Sequence, residues 1–219
     1  MSASIRSQKY QERGARARRH NHALVALGRR VWHEDCTFET AIAEICEVAA
    51  DTLELERVNV WRVEAETQQL RCVHAYFRSE EMHNPPGYEE CLLLESEYST
   101  QLGEVRVIDI TDVGNDSTVS ASERMLGAYL RRHDIHSLLD APIRAEGVLL
   151  GVVCHEHVGS ARVWTPEDYA FAGSIGDYIA VAYEIARRRE IEIRLRYLER
   201  HDPHTNLPNR DHLLEVAHT

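Results

Sequence analysis

The chain has 219 residues, 43% of them hydrophobic, and a net charge of −11 from 36 acidic and 25 basic side chains. That length buries one full core plus helical extensions, and the acidic balance excludes a general phosphate-backbone binder, which needs Lys and Arg clustered on a folded face. No apolar run reaches the roughly 18 residues that span a bilayer, and the start lacks the apolar segment of a secretory signal. A cytoplasmic protein with neither nucleic acid nor membrane as partner is therefore expected. The five cysteines, Cys36, Cys46, Cys72, Cys91 and Cys154, lie far apart without a C-x-x-C pair, which points to reduced thiols.

Residues 1–34 read as an N-terminal helical arm. Arg6, Lys9, Arg13, Arg16, Arg18 and Arg19 make it basic, and Ile5 and Tyr10 do not supply the broad apolar face of a membrane-lying helix, so a solvated arm is expected. Asp35 or Thr37 can cap a helix in which Phe38, Ile42, Ile45, Ala49 and Leu53 recur at helical spacing. Arg57 to Val63 and Gln69 to Tyr76 alternate as strands and predict an antiparallel hairpin. Parity sets Asn59, Trp61 and Val63 on one face and Val58 and Val60 on the other. His83-Asn84-Pro85-Pro86-Gly87 breaks the regularity of residues 77–95 into a long loop or a short helical insert.

Val105 to Ile110 is the next expected strand, followed by an acidic turn with Asp109, Asp112, Gly114, Asn115 and Asp116. Ser122 to Arg132 predicts a helix with Met125, Leu126, Tyr129 and Leu130 inward. Ser137 to Arg144 and Val148 to His157 predict two strands joined at Ala145-Glu146-Gly147. Thr165-Pro166-Glu167-Asp168 has a hydroxyl N-cap, proline at the first helical position and acids in the first turn, and so opens a long helix. Phe171, Ile175, Tyr178, Ala182 and Ile185 form its apolar seam, which Ile191, Leu195 and Leu198 resume after Arg187-Arg188-Arg189. Ile185 to Ile191 is a step of six residues, which overwinds or bends a coiled coil.

This order of elements resembles the layout of GAF domains. Tyr129-Leu130-Arg131-Arg132-His133-Asp134-Ile135-His136-Ser137-Leu138-Leu139-Asp140-Ala141-Pro142-Ile143-Arg144 is similar to the helix-to-strand segment of that family. Gly147-Val148-Leu149-Leu150-Gly151-Val152-Val153-Cys154-His155-Glu156-His157, with Trp164-Thr165-Pro166-Glu167-Asp168, resembles its closing hairpin and final helix. The resemblance implies an α/β (α+β) fold with a central antiparallel sheet flanked by helices, here extended by long N- and C-terminal helices. His201-Asp202-Pro203-His204-Thr205-Asn206-Leu207-Pro208-Asn209-Arg210 resembles the D-x-L-T-x-L-x-N-R opening of GGDEF domains, with His204 at the usual leucine and Asn206 at the usual glycine. Asn tolerates the left-handed backbone that glycine would supply there.

The organisation expected is an arm at 1–34, a GAF sensor domain at 35–186, a signalling helix at 187–200 and the start of a GGDEF domain at 201–219. The resemblance implies that such a domain joins two GTP molecules into cyclic di-GMP. Its catalytic acids fall beyond Thr219, so this chain is not expected to be an enzyme. The expected function is a sensor that binds a small-molecule effector and forms a homodimer through its terminal helices to control the GGDEF domain. A ligand-free dimerisation scaffold and a thiol- or metal-dependent enzyme on the GAF fold are the alternatives.

Aromatic and polar groups on the strands and the loop suit a planar or small polar ligand. The candidate ligand-binding set is Trp61, His74, Tyr76, Tyr88, Cys91, Tyr98 and His155, with the sheet face of His74 and the 77–98 segment enclosing the site. No cofactor is assigned. His155 and His157, two apart on a strand, face one way and hold a metal only with a third ligand such as His74 or Cys91. Cys72 and Cys91 flank the loop as a conceivable redox pair, which requires a low-pKa thiolate. In phytochrome-like GAF domains the bilin-bearing cysteine lies shortly before the segment resembling Tyr129-Leu130. Met125, Leu126, Gly127 and Ala128 stand there, and no counterpart of the N-K-x-F-x3-D-E pattern of cyclic-nucleotide GAF domains is present.

Overall fold

The computed structural model describes residues 3–30, 37–112, 121–203 and 205–209. The chain divides into two compact units, Met1–Ala182 and Tyr183–Thr219. The order of elements is α1 (Ala3–Arg30), α2 (Phe38–Leu53), β1 (Arg57–Glu64), β2 (Gln69–Phe77), β3 (Met82–His83), β4 (Cys91–Leu93), α3 (Ser96–Glu104), β5 (Ile108–Ile110), α4 (Ala121–Arg132), β6 (Ile135–Ala145), β7 (Val148–Val158) and α5 (Pro166–Arg200). The strands form one antiparallel sheet in the order β3-β2-β1-β7-β6-β5, with β4 also paired to β2.

The long β6–β7 hairpin closes on Glu146 and Gly147, both at positive φ (50° and 79°), a two-residue turn whose twist matches the strands. Gly151 marks the closest approach between β7 and β1: a Cβ there would lie 2.0 Å from the carbonyl oxygen of Trp61.

The alternation of side chains across the sheet builds two cores. Val58, Val60, Tyr76, Leu139, Ala141, Ile143 and Val153 pack with α2 and the first half of α5. Trp61, Leu70, Leu138, Val152 and Cys154 pack with Tyr98 and Leu102 of α3 and Leu126, Tyr129 and Leu130 of α4. Thr37 caps α2, its hydroxyl accepting from Thr40 N at 3.2 Å. At the start of α5, Thr165 Oγ1 accepts from Asp168 N (3.3 Å) while Asp168 Oδ2 accepts from Thr165 N (3.0 Å), a reciprocal capping box.

Three expectations are corrected. Residues 77–95 hold two short strands, and Ser96–Glu104 is a helix that its mostly polar sequence hides, since only Tyr98 and Leu102 are buried in it. The strand expected from Val105 is shorter and starts at Ile108. The N-terminal arm is not simply solvated: Leu27 is buried in the α2/α5 core, and His20 is buried against Phe171, its Nδ1 donating to the carbonyl of Glu167 at 3.2 Å. Arg13 pairs with Glu167, and Arg16 lies 3.8 Å from the buried Asp168. The turn expected at Gly114-Asn115-Asp116 and the Asp35 cap lie outside the described residues, as do Cys36, His204 and Arg210. In the second unit Asn206 is left-handed (φ 57°), as an asparagine in a glycine position can be. Asp202 Oδ1 ties this turn by accepting from Thr205 N at 2.9 Å.

The sheet buries two histidines on its α2/α5 face. His155 is fully buried, with Nδ1 donating to Leu139 O at 3.0 Å, and burial pushes it down to about 4; His74 is likewise pushed down to about 4 by burial and by neighbouring His83. A histidine depressed in the folded state supports stability above its unfolded pKa near 6.5. That support is lost as pH falls towards the folded value. Replacement His155→Gln should therefore flatten the acid limb of a urea-stability profile by roughly 3 kcal/mol between pH 6.5 and pH 4. An acid limb as steep as in the unaltered protein would contradict this.

Candidate functional site

The chemistry gathers on the face beneath α3 and α4. Strand pairing sets Arg57 opposite Glu156 and Asn59 opposite Cys154, and Cys154 in turn opposite Asp140 of β6. These five polar side chains thus share one face with Trp61. From above, α4 contributes Tyr129, α3 contributes Tyr98, and the segment after β3 contributes Tyr88.

Glu156 is the centre of the cluster. Its Oε1 accepts from Tyr129 OH (2.8 Å) and Asn59 Nδ2 (3.0 Å), and its Oε2 lies 3.4 Å from Arg57 Nε. Because the Tyr129 hydroxyl donates to Glu156, the Tyr88 hydroxyl at 2.8 Å donates to Tyr129 in turn. Arg57 is also held by the carbonyl of His133 (2.7 Å) and lies over the ring of Phe77, 5.3 Å from its centroid. Glu90 closes the rim, accepting from His133 Nε2 at 3.0 Å and pairing with Arg132. Trp61 meets Tyr129 edge-on at 5.4 Å. Further along, Tyr98 OH donates to Asp140 Oδ2 at 2.6 Å.

Burial governs the protonation of these groups. It pushes Glu156 up to about 7 against the opposing pull of Arg57, Tyr129 and Asn59, and Asp140 up to about 6 against Cys154 and Tyr98. The Tyr129, Tyr98 and Tyr88 phenols are held far above their usual range by burial and by the adjacent carboxylates, so they remain neutral donors.

The sequence-based candidates divide between the two faces. Trp61, Tyr88 and Tyr98 come together on the α3/α4 face. His74 and Tyr76 lie on the opposite face at the α2 edge, where His74 Nε2 donates to His83 Nδ1 (3.0 Å) and His83 Nε2 donates to Glu47 (2.7 Å). His155 is on that opposite face too. Cys91 is exposed on β4, its thiol donating to Gln69 Oε1 at 3.3 Å. The face of His74 therefore does not form one enclosure with Tyr88 and Tyr98. The cause is a bulge opposite Val60 and Trp61: Cys72 pairs with Trp61 but His74 pairs with Val60, so two residues of one strand point to opposite faces.

His155, His74 and Cys91 do not converge, and among the described residues no three His, Cys, Asp or Glu side chains are placed to hold a metal. The Cys72 thiol is pushed up to about 12 by burial, opposite to the shift a reactive thiolate needs. Sequence reasoning missed Arg57, Tyr129, Asp140 and Glu156. For Asp140 the available signal was a charged residue between Leu139 and Ala141 in an apolar stretch, since such residues are seldom buried without a partner.

Residues 37–183 match the GAF domain family. No curated protein matches the chain. Its fold is similar to that of the phycocyanobilin-bound GAF domain from a cyanobacterial phytochrome (TM-score 0.65, 16% identity, covering 78% of this chain and 96% of that one). It is similar as well to the GAF domain from a phosphoenolpyruvate-protein phosphotransferase of Coxiella burnetii (TM-score 0.60, 16% identity, 80% and 98%). The chromophore-binding domain of Stigmatella aurantiaca bacteriophytochrome matches at TM-score 0.61 and 12% identity over 75% of this chain, which spans 60% of that one. At these identities the likeness is one of fold.

Removing the Tyr129 hydroxyl leaves Tyr88 without its acceptor and Glu156 with Asn59 as its remaining hydrogen-bond donor. Tyr129→Phe should lower the urea-unfolding free energy by about 1–3 kcal/mol. A change under about 0.5 kcal/mol would contradict the cluster as described.

Proposed function

The chain belongs to the GAF domain family, and we propose that it is the sensory module of a GGDEF signalling protein that binds a small effector between the sheet and helices α3 and α4. One observation carries the reading: a hydrogen-bonded network of Asn59, Tyr88, Tyr129 and Glu156 stands within an apolar core, with several buried polar atoms still unpaired among the described residues. A purely structural layer gains more from well-packed apolar side chains, because partly satisfied polar groups cost free energy. Aromatic walls with a few placed polar groups are the usual make-up of a small-ligand site.

Signal output is the second half of the proposal. Within the second unit Ile191 and Leu195 of α5, four residues apart on one side of the helix, are exposed, and such a seam suits a second copy of the chain packed in parallel. Two copies would set two GGDEF domains side by side, and effector binding would favour one packing of the helix pair over another. The effector need not be a bilin as in the phytochrome relatives, since Met125-Leu126-Gly127-Ala128 offers no cysteine for attachment. A cytoplasmic location goes with this reading.

The test has two arms. Native mass spectrometry of the protein purified from its own host should show a bound small molecule that Trp61→Ala loses; ligand-free protein throughout, even after addition of host extract, would contradict the sensor. In the full-length parent, one residue inserted after Arg189 turns the downstream seam by about 100° and should change the basal rate of cyclic di-GMP synthesis. An unchanged rate and effector response would refute control through the helix.

A further inference from the structure

Four buried polar atoms on the α3/α4 face lack a hydrogen-bond partner among the described residues: the amide oxygen of Asn59, the indole N–H of Trp61, Oδ1 of Asp140 and Oε2 of Glu156, the last lying 3.4 Å from the Arg57 guanidinium that neutralises it. All four residues are at most 1% exposed. Their polarity is fixed by what surrounds them. Asn59 Nδ2 lies 3.0 Å from a carboxylate oxygen of Glu156, and turning the amide over would set oxygen against oxygen, so the unpaired atom is an acceptor. Asp140 receives Tyr98 on Oδ2 and has the Cys154 thiol, a weak donor, beside it, so Oδ1 is a second acceptor still open to a stronger donor. Trp61 is a donor only.

The register gives the patch its size. Asn59, Cys154 and Asp140 lie side by side across β1, β7 and β6, so Asn59 and Asp140 are two strand spacings, about 10 Å, apart. Trp61 lies two residues along β1 from Asn59, about 7 Å. These backbone spacings are on the scale of a fused pair of planar rings. The charges facing this patch are the Asp140 carboxyl and the Glu156–Arg57 pair, with Glu90 balanced at the rim by Arg132. A carboxylate or phosphate would meet two acceptors and one donor here, whereas a molecule with N–H groups beside an acceptor nitrogen would meet complementary partners.

Resting on the binding site proposed above, we propose that this patch selects a planar nitrogen heteroaromatic bearing an amino group, neutral or cationic, and rejects anions. The amino N–H groups would be received by Asn59 and Asp140, and the ring nitrogen would accept from Trp61. Because buried groups left unpaired discriminate strongly, selection against an isostere lacking the N–H groups should be large.

The test follows the Trp61 indole N–H signal by ¹⁵N NMR, assigned through Trp61→Phe, during titration with 2-aminoquinoline, quinoline-2-carboxylate and 2-methylnaphthalene. The expected result is a saturable shift with 2-aminoquinoline, at least about tenfold tighter than with either isostere. Asp140→Asn, which keeps an acceptor but removes its charge, should weaken that binding about tenfold while the spectrum stays dispersed. Tighter binding of the carboxylate or of the hydrocarbon would overturn the ligand class and leave the binding site standing. A Trp61 signal unmoved by all three at millimolar concentration would overturn both.

Discussion

Glu156 is a carboxylate with no solvent exposure in the middle of the sheet, and much of the architecture answers to it. Leaving such a group without partners costs several kcal/mol, so the chain meets it with three side chains from two elements. Arg57 reaches it from β1, Asn59 from the same strand, and Tyr129 from the helix above. Those contacts tie α4 to the β1–β7 pair. They also fix the hydroxyl order of Tyr88 and Tyr129, because the Glu156 oxygen that receives the Asn59 N–H is an acceptor, so Tyr129 must donate to it. The segment bearing Tyr88 is therefore positioned by the same charge that positions the helix.

The two faces of the sheet have different chemistry. Towards α2 and α5 the contacts are apolar, interrupted by His155 and by the His74–His83–Glu47 chain at one edge. Towards α3 and α4 a polar stripe runs from Arg57 through Glu156 and Asn59 to Asp140. Helix α1 joins the first face, its His20 and Leu27 buried and its arginines meeting the acids at the start of α5. Changes on the polar face thus act on α3 and α4, while α1 and the start of α5 are held from the other side of the sheet.

Much of this was legible in the sequence wherever periodicity and caps agree. Helix α2 and the opening of α5 carry apolar residues at helical spacing behind a Thr cap, and the β6–β7 hairpin announces itself through Glu146-Gly147. The parity of β1 was legible too, dividing Asn59 and Trp61 from Val58 and Val60. Helix α3 was not, because two buried side chains in nine residues make no stripe. The site was readable in part: Trp61, Tyr88 and Tyr98 do meet on one face. His74 and Tyr76 were separated from them by the bulge opposite Trp61, which depends on strand pairing and leaves no mark in strand alternation. Tyr129 was read as inward-facing core, but its role as donor to Glu156 requires knowing which helix covers which face.

The account rests on Glu156 being a buried carboxyl held by Arg57, Asn59 and Tyr129, and the most direct measurement is its own titration. In a ¹³C-carboxyl NMR titration, with the signal assigned through Glu156→Gln, Glu156 should take up its proton at about 7, and the Tyr129 ring signals should move over the same pH range. A Glu156 signal that titrates with the exposed glutamates, near 4.3, without any response from Tyr129, would contradict the buried cluster and the site built on it.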